Sequence, residues 1–548
     1  MSQQLGIKNE GALAVVLAPC VIALFMVVNL LQHHDYSLWT SESLLFASAM
    51  GAAALSLAAL QLIHPGLKIF LTVCLLTLVA TVQFDLTLRD LFTVAGVLLL
   101  LCYIIRRRLS TLVALFFGVM LITGFFTNSR GFIEYSQPGT VNTELPLYIH
   151  IVLDGHIGID GVPTDVPGGD ELKQELVQFF EERDFRLYRQ AYSHYISTAN
   201  SMRNLFDFAV DNVNYFTDTV SENRTVQRLE HPVYFDILRQ QGYALRVIHP
   251  QYIDYCSANR DWISACFSYA NMNLGAIEAA KMPITRKAGL MAHILVKQSS
   301  TLSRLYERGV DSFGFPHLQA DKLPGTTQSH IEQIIADIET HGNGTAYLIH
   351  LLMPHPPYMR NASCEYIYPR PKAEVTPRDT SIAVTLTKSG RAVVTGRLNT
   401  IATRERRYQN YFDNVRCAMS WLDQIIDAMQ RAALYQDAIL VVHSDHGSGI
   451  STLVPVAAWR DQLTEADYID SYSSLFAVKG MKQVPQNSFV PLEDALAEVV
   501  SSLFPVTFKR QKTIAPFVYL LSGTNQPVLE RVELQGFLRP LPAQSESD

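Results

Sequence analysis

Between residues 12 and 126 the chain is apolar almost without interruption. Beyond residue 146, short apolar runs alternate with stretches of helical periodicity. Five apolar segments, residues 12–31, 44–63, 67–84, 91–105 and 109–126, fill the first part. Most approach the roughly 20 residues that cover a hydrocarbon core, and the fourth is short. The pattern predicts a transmembrane domain of five helices over residues 1–127. No small-residue cleavage signal follows the first segment, so it reads as an anchor. Arg106, Arg107 and Arg108 separate the fourth and fifth segments, and Lys68 lies just past the second. Residues 33–42 and 85–90 carry acids and few bases. The positive-inside rule then puts the N-terminus in the cytoplasm, and five crossings leave everything after Thr127 outside.

Residues 128–146 are polar, contain Gly131, Pro138 and Gly139, and read as a juxtamembrane linker. From 147 to 548 the rhythm is that of an α/β domain with a mostly parallel central sheet. Strands are expected at 147–153, 243–248, 346–352, 438–447 and 474–478. Helices are expected at 171–183, 233–241, 329–340, 408–433 and 492–503.

Composition sharpens this division. Charged residues make up only 17% and hydrophobic ones 48%, a mean that hides an apolar first part and an ordinary globular remainder. The formal net charge of −7 offers no electrostatic footprint for nucleic acid. Of the seven cysteines, Cys20, Cys74 and Cys102 sit in apolar runs. Cys256, Cys266, Cys364 and Cys417 sit in the globular part, an even number compatible with two disulfides in an oxidising compartment. Sequence proximity favours pairing Cys256 with Cys266 and Cys364 with Cys417.

Chemistry gathers at the expected strand ends. AILVVHSDHG (438–447) runs from a buried strand into Asp445, His446 and Gly447, and 147–153 ends in Asp154-Gly155. Ligands in open α/β sheets collect beyond the carboxyl ends of strands, so Asp154 and Asp445 can share one site. A hard carboxylate oxygen beside an imidazole nitrogen suits Zn²⁺ or Mn²⁺. In YSHYISTANSMRNL (192–205), Thr198 and Ser201 stand at the mouth of a helix. There Thr198 either caps the first turn or acts as a nucleophile whose alkoxide a metal and the helix N-terminus stabilise. HLLMPHPPY (350–358) sets His350 and His355 around a proline-stiffened turn, placed to hold a phosphate, sulfate or second metal, or simply to pack.

The order of these pieces resembles the alkaline phosphatase/sulfatase superfamily: Asp at a first strand end, Thr before a helix, HxxxxHP after a central strand, DHG after a late one. With apolar segments ahead of it, the chain is similar to the lipoteichoic acid synthase and lipid A phosphoethanolamine transferase families. That resemblance implies a sulfatase-like domain over 147–548 and a metal site of Asp154, Thr198, Asp445 and His446. It implies Thr198 as nucleophile and His350 and His355 as holders of the transferred phosphate. The function it implies is transfer of phosphoethanolamine or phosphoglycerol from a phospholipid donor to a cell-envelope glycan or glycolipid. The setting would be the cytoplasmic membrane, with the catalytic domain on its outer, periplasmic side. The alternatives are a membrane-anchored phosphodiesterase or sulfatase and a non-catalytic scaffold. Two departures stand out. Asp154 occupies a position where these transferases usually carry Glu, and no histidine falls between Gly447 and Lys479. The Cys/Ser-x-Pro-x-Arg setting of a sulfatase nucleophile is also missing, since 198–202 reads TANSM.

Overall fold

The structure is a computed structural model. It describes residues 11–84, 86–126, 131–135, 141–210, 217–221, 224–313, 323–368, 383–386, 392–395, 399–481, 489–509, 515–522 and 528–540. The chain forms two compact units, one of Met1–Arg130 with Asn273–Lys322, the other of Gly131–Met272 with Leu323–Asp548.

In the first unit the apolar segments form helices Ala12–His33, Ser41–Ile63, Lys68–Phe84, Leu88–Ile104 and Leu109–Phe126. The second starts where Thr40 accepts a hydrogen bond from the Ser43 amide, and the fourth where Thr87 does so from Asp90. Ala12–His33, Ser41–Ile63 and Pro65–Phe84 are each long and apolar enough to cross a membrane. Leu88–Ile104 has only 17 residues, roughly 25 Å at the α-helical rise, and it meets the next helix at a bend of 118°. Among the described residues, then, three helices qualify singly, or four if the bent pair is one span. The expected five crossings do not follow.

Two further helices, Ile284–Lys297 and Ser300–Phe313, belong to this unit although they lie far along the chain. Lys287 Nζ sits 3.1 Å from Glu42 Oε1, both side chains nearly enclosed, and the Tyr36 hydroxyl donates to the same oxygen at 2.5 Å. A buried ion pair of this kind is costly to break from one side, so it ties the mid-chain segment to the apolar helices.

The second unit is built on an eight-stranded sheet. Its strands in chain order are Ile133–Glu134 (β1), Tyr148–Leu153 (β2), Arg186–Leu187 (β3), Ala244–Pro250 (β4), Ala265–Tyr269 (β5), Thr345–Leu351 (β6), Ile439–His443 (β7) and Phe476–Lys479 (β8). Their spatial order is β1-β5-β4-β6-β2-β7-β8-β3. The five inner strands from β5 to β7 are mutually parallel, and the flanking pairs β1–β5, β7–β8 and β8–β3 are antiparallel. The sheet is therefore mixed, parallel at its centre and antiparallel at its edges. β1 comes from within the stretch expected to be linker, part of which lies outside the described residues.

Side chains of the inner strands alternate between two cores. Ile149, Ile151, Leu440 and Val442 face one that includes Trp421 and Ile425 of the Ile401–Arg431 helix. Tyr148, Val152, Ile439 and Val441 face the other, which holds Met202, Phe235 and Leu496 from three different helices. Both faces being covered explains why these strands read as continuous apolar runs. The disulfides are Cys256–Cys266 and Cys364–Cys417.

Candidate active site

Strand register assembles the site. In β7, His443 pairs with Val152 of β2, and Leu351 of β6 pairs with Leu153. Two residues past His443, Asp445 thus emerges beside Asp154, at the same rim. The ligand atoms of Asp154, Asp445 and His446 lie within 4.8 Å of one another.

The turns after both strands depend on glycine. Gly155 has φ +70°, a region that suits a residue without Cβ, and its amide donates to Asp445 Oδ1 at 2.9 Å. Gly447 packs so closely on the Asp470–Ser471 backbone that a Cβ would lie 2.6 Å from the Asp470 carbonyl oxygen.

Each carboxylate has one oxygen engaged and one bare. Asp154 Oδ2 accepts from the Tyr252 hydroxyl at 2.7 Å and faces His350 Nε2 at 3.3 Å. Asp154 Oδ1 and Asp445 Oδ2 are buried with no hydrogen-bond partner. His446 Nδ1 lies 2.8 Å from the Gly447 carbonyl, which makes it the protonated nitrogen and leaves the Nε2 lone pair free. Nε2 lies 3.3 Å from Asp445 Oδ2 and 3.9 Å from Asp154 Oδ1. Two buried acids at this spacing, each with an unsatisfied oxygen, are expensive without a cation between them. Two hard oxygens and an imidazole nitrogen fit a divalent ion such as Zn²⁺ or Mn²⁺.

The electrostatics agree with that geometry. Burial works to raise the Asp154 carboxyl, but His355, His350 and His446 hold it well below the usual carboxylate range. Burial works to lower His446, but Asp445 and Asp154 outweigh it and the imidazole is raised. Tyr252 is raised well above an ordinary phenol by burial and by the charges of Asp154 and Asp445, so its hydroxyl stays a donor.

Thr198 is the first residue of the Thr198–Asp207 helix, and Ser197 occupies the capping position. Its nearly buried hydroxyl does not cap the first turn; it lies near the Tyr252 hydroxyl, which in turn donates to Asp154 Oδ2. The helix is moored to the rim by Ser201, whose hydroxyl donates to the Asp445 carbonyl at 2.5 Å.

The two histidines after β6 differ. His355 lies beside the Gly155 turn, with Nδ1 2.7 Å from the Pro356 carbonyl and Nε2 therefore available. His350 is completely buried, and both its nitrogens are committed, Nδ1 to the Tyr255 hydroxyl at 3.0 Å and Nε2 to Asp154. The pair expected to grip one phosphate is thus split between a partly open residue and a committed one. Tyr252 and Tyr255 had escaped the sequence reading. They follow β4, a parallel strand ending at the same rim, and the strand-end rule that singled out Asp154 applies to them too.

Several solved structures are similar to the chain. A Bacteroides thetaiotaomicron protein from work on glycosaminoglycan metabolism is 12% identical, covers 71% of this chain and 84% of its own, and has a TM-score of 0.41. The C-terminal periplasmic domain of EptC from Escherichia coli, in complex with Zn, is 12% identical over 67% of this chain and 86% of its own, with a TM-score of 0.34. A phosphonate monoester hydrolase of Agrobacterium radiobacter is 12% identical over 69% of this chain and 81% of its own, with a TM-score of 0.37. No curated protein matches the chain. The Sulfatase family model matches residues 183–485, a span that runs from the approach to β3, through the Thr198 helix and the Asp445–His446 turn, to just beyond β8. That span exceeds half of the sequence, and the chain belongs to the sulfatase family, within the alkaline phosphatase/sulfatase superfamily.

Proposed function

We propose that the chain moves a phosphorylated head group, phosphoethanolamine or phosphoglycerol, from a membrane phospholipid to a cell-envelope glycan or glycolipid. The observation that carries this reading is the buried acid–acid–imidazole cluster, with the Thr198 hydroxyl at a helix N-terminus near Tyr252, which donates to Asp154.

Asp154, Asp445 and His446, with Thr198, would hold one divalent ion. When bound, it supplies charge neutralisation for the phosphoryl oxygens and favours the alkoxide of Thr198. Thr198 Oγ attacks the donor phosphorus, the bond from phosphorus to the diacylglycerol oxygen breaks, and that oxygen leaves with a proton. The product on the chain is phosphothreonine carrying the head group. The amides of the first turn favour negative charge at this point. His355, whose Cα lies beside the Gly155 turn and whose Nδ1 faces the Pro356 carbonyl, would bind an equatorial oxygen through Nε2, stabilisation of the kind that usually dominates such transfers. An acceptor hydroxyl then attacks the phosphothreonine and restores Thr198. Threonine cannot supply the aldehyde that a formylglycine sulfatase needs, which favours phosphoryl over sulfuryl substrates.

The apolar N-terminal helices would keep this chemistry beside the lipid donor at the cytoplasmic membrane. The two disulfides support an oxidising, extracytoplasmic location for the catalytic unit.

Thr198→Ala should reduce diacylglycerol release from phospholipid vesicles by at least about a thousandfold, with the fold retained. Mass spectrometry of the wild type should find the head-group phosphate on Thr198. An adduct on another residue, or full activity of the variant, overturns the proposal. Release that does not depend on a glycan acceptor would make the chain a phosphodiesterase.

A further inference from the structure

The loop 251–264 between β4 and β5 inserts two tyrosines, three residues apart, into the surroundings of the cluster. Tyr252 donates to Asp154 Oδ2 at 2.7 Å, and its hydroxyl lies near that of Thr198. Tyr255 donates to His350 Nδ1 at 3.0 Å, and His350 Nε2 reaches the same Asp154 oxygen at 3.3 Å. Asp154 Oδ2 is thereby approached by two donors while Oδ1 has none.

The loop is itself well anchored. Cys256 is bonded to Cys266, the Tyr252 amide donates to Asn271 Oδ1 at 3.1 Å, and Asn259 Nδ2 donates to the Leu229 and Tyr255 carbonyls at 2.7 and 2.8 Å. A side chain that only filled space would not need its hydroxyl aimed at a buried carboxylate.

We infer that Tyr252 is a positioning residue for the transfer: its hydroxyl turns Asp154 so that Oδ1 faces the cation. Tyr255 supports this through His350. The inference rests on the phosphothreonine reading for its effect on rate, but its effect on metal affinity is independent of that reading. An outer partner that orients a ligating carboxylate typically changes metal affinity by about 10–100-fold.

Tyr252→Phe keeps the ring and removes only the oxygen. The full-length protein in detergent, stripped of metal, is titrated with Zn²⁺ and with Mn²⁺ by calorimetry, and reloaded protein is assayed with bis(4-nitrophenyl) phosphate. The variant should bind both ions at least about tenfold more weakly, and lose at least about tenfold in kcat with KM within about twofold. Its melting temperature should match the wild type, which excludes general unfolding as the cause. Unchanged metal affinity and kcat overturn the inference. Thr198→Ala in the same assay separates the two claims. If it is inactive while Tyr252→Phe behaves as wild type, only the role of Tyr252 falls. If it is as active as wild type, the phosphothreonine reading falls, and the metal titration still decides the inference.

Discussion

A single methyl group at residue 447 would be enough to disturb the site. A Cβ there would lie 2.6 Å from the Asp470 carbonyl oxygen and 2.8 Å from the Ser471 carbonyl carbon, backbone atoms that cannot swing away. Gly447→Ala should therefore destabilise the second unit by about 1–3 kcal/mol and weaken binding of the ion by displacing His446. Thermal melts with and without added Zn²⁺ measure both effects, and an unchanged metal-dependent shift would refute the link. At this scale much was legible from the sequence, because Asp154-Gly155 and Asp445-His446-Gly447 each join a ligand type to a glycine at a strand end. Thr198 was legible as a residue at a helix mouth, but its nearness to Tyr252 was not. That nearness involves a side chain 54 positions away, which leaves no trace in local spacing.

Among the elements, the loop 251–264 matters most, because it carries both tyrosines and is closed by the Cys256–Cys266 bond. Replacing both cysteines by serine should cost about 2–3 kcal/mol of stability. It should also lower metal affinity in the same direction as Tyr252→Phe, which calorimetry on the double variant tests. Full metal affinity in that variant would mean that the hydrogen bonds of Asn259 and Asn271 hold the loop unaided. The helices Val233–Gln241 and Leu492–Leu503 were legible to the residue, since their apolar stripes face a core and clear helix breakers or turn residues flank them. Helices Ile284–Lys297 and Ser300–Phe313 went unread. Their apolar stripes match those of any surface helix, and their assignment to the apolar unit rests on contacts such as Lys287 with Glu42. The short antiparallel edge strands β1 and β3 also went unread, for two residues show no period.

Over the whole molecule, the return of 273–322 to the apolar unit bears on any attempt to isolate the catalytic part. Cutting at residue 130 removes Glu42 and Tyr36 from Lys287 and takes away the Ser41–Ile63 helix that packs on Ile284–Lys297. A fragment 131–548 should aggregate without detergent, whereas the same fragment with 273–322 replaced by a flexible polar linker should elute as a monodisperse species on size exclusion. Monodisperse elution of the first fragment would contradict the grouping. The count of spans was the least legible property at this scale. Hydropathy registers apolar length, but not the 118° bend that joins the fourth and fifth helices.

The wide separation of Asp154 from Asp445 along the sequence would set when the protein could acquire the ion proposed for the cluster. During synthesis the first carboxylate emerges almost 300 residues before its neighbours on the rim, and until β7 has docked against β2 no segment presents all three side chains of the cluster. A chain that stops short of β7 lacks two of the three groups, and capture of an ion would report that the middle of the sheet has closed.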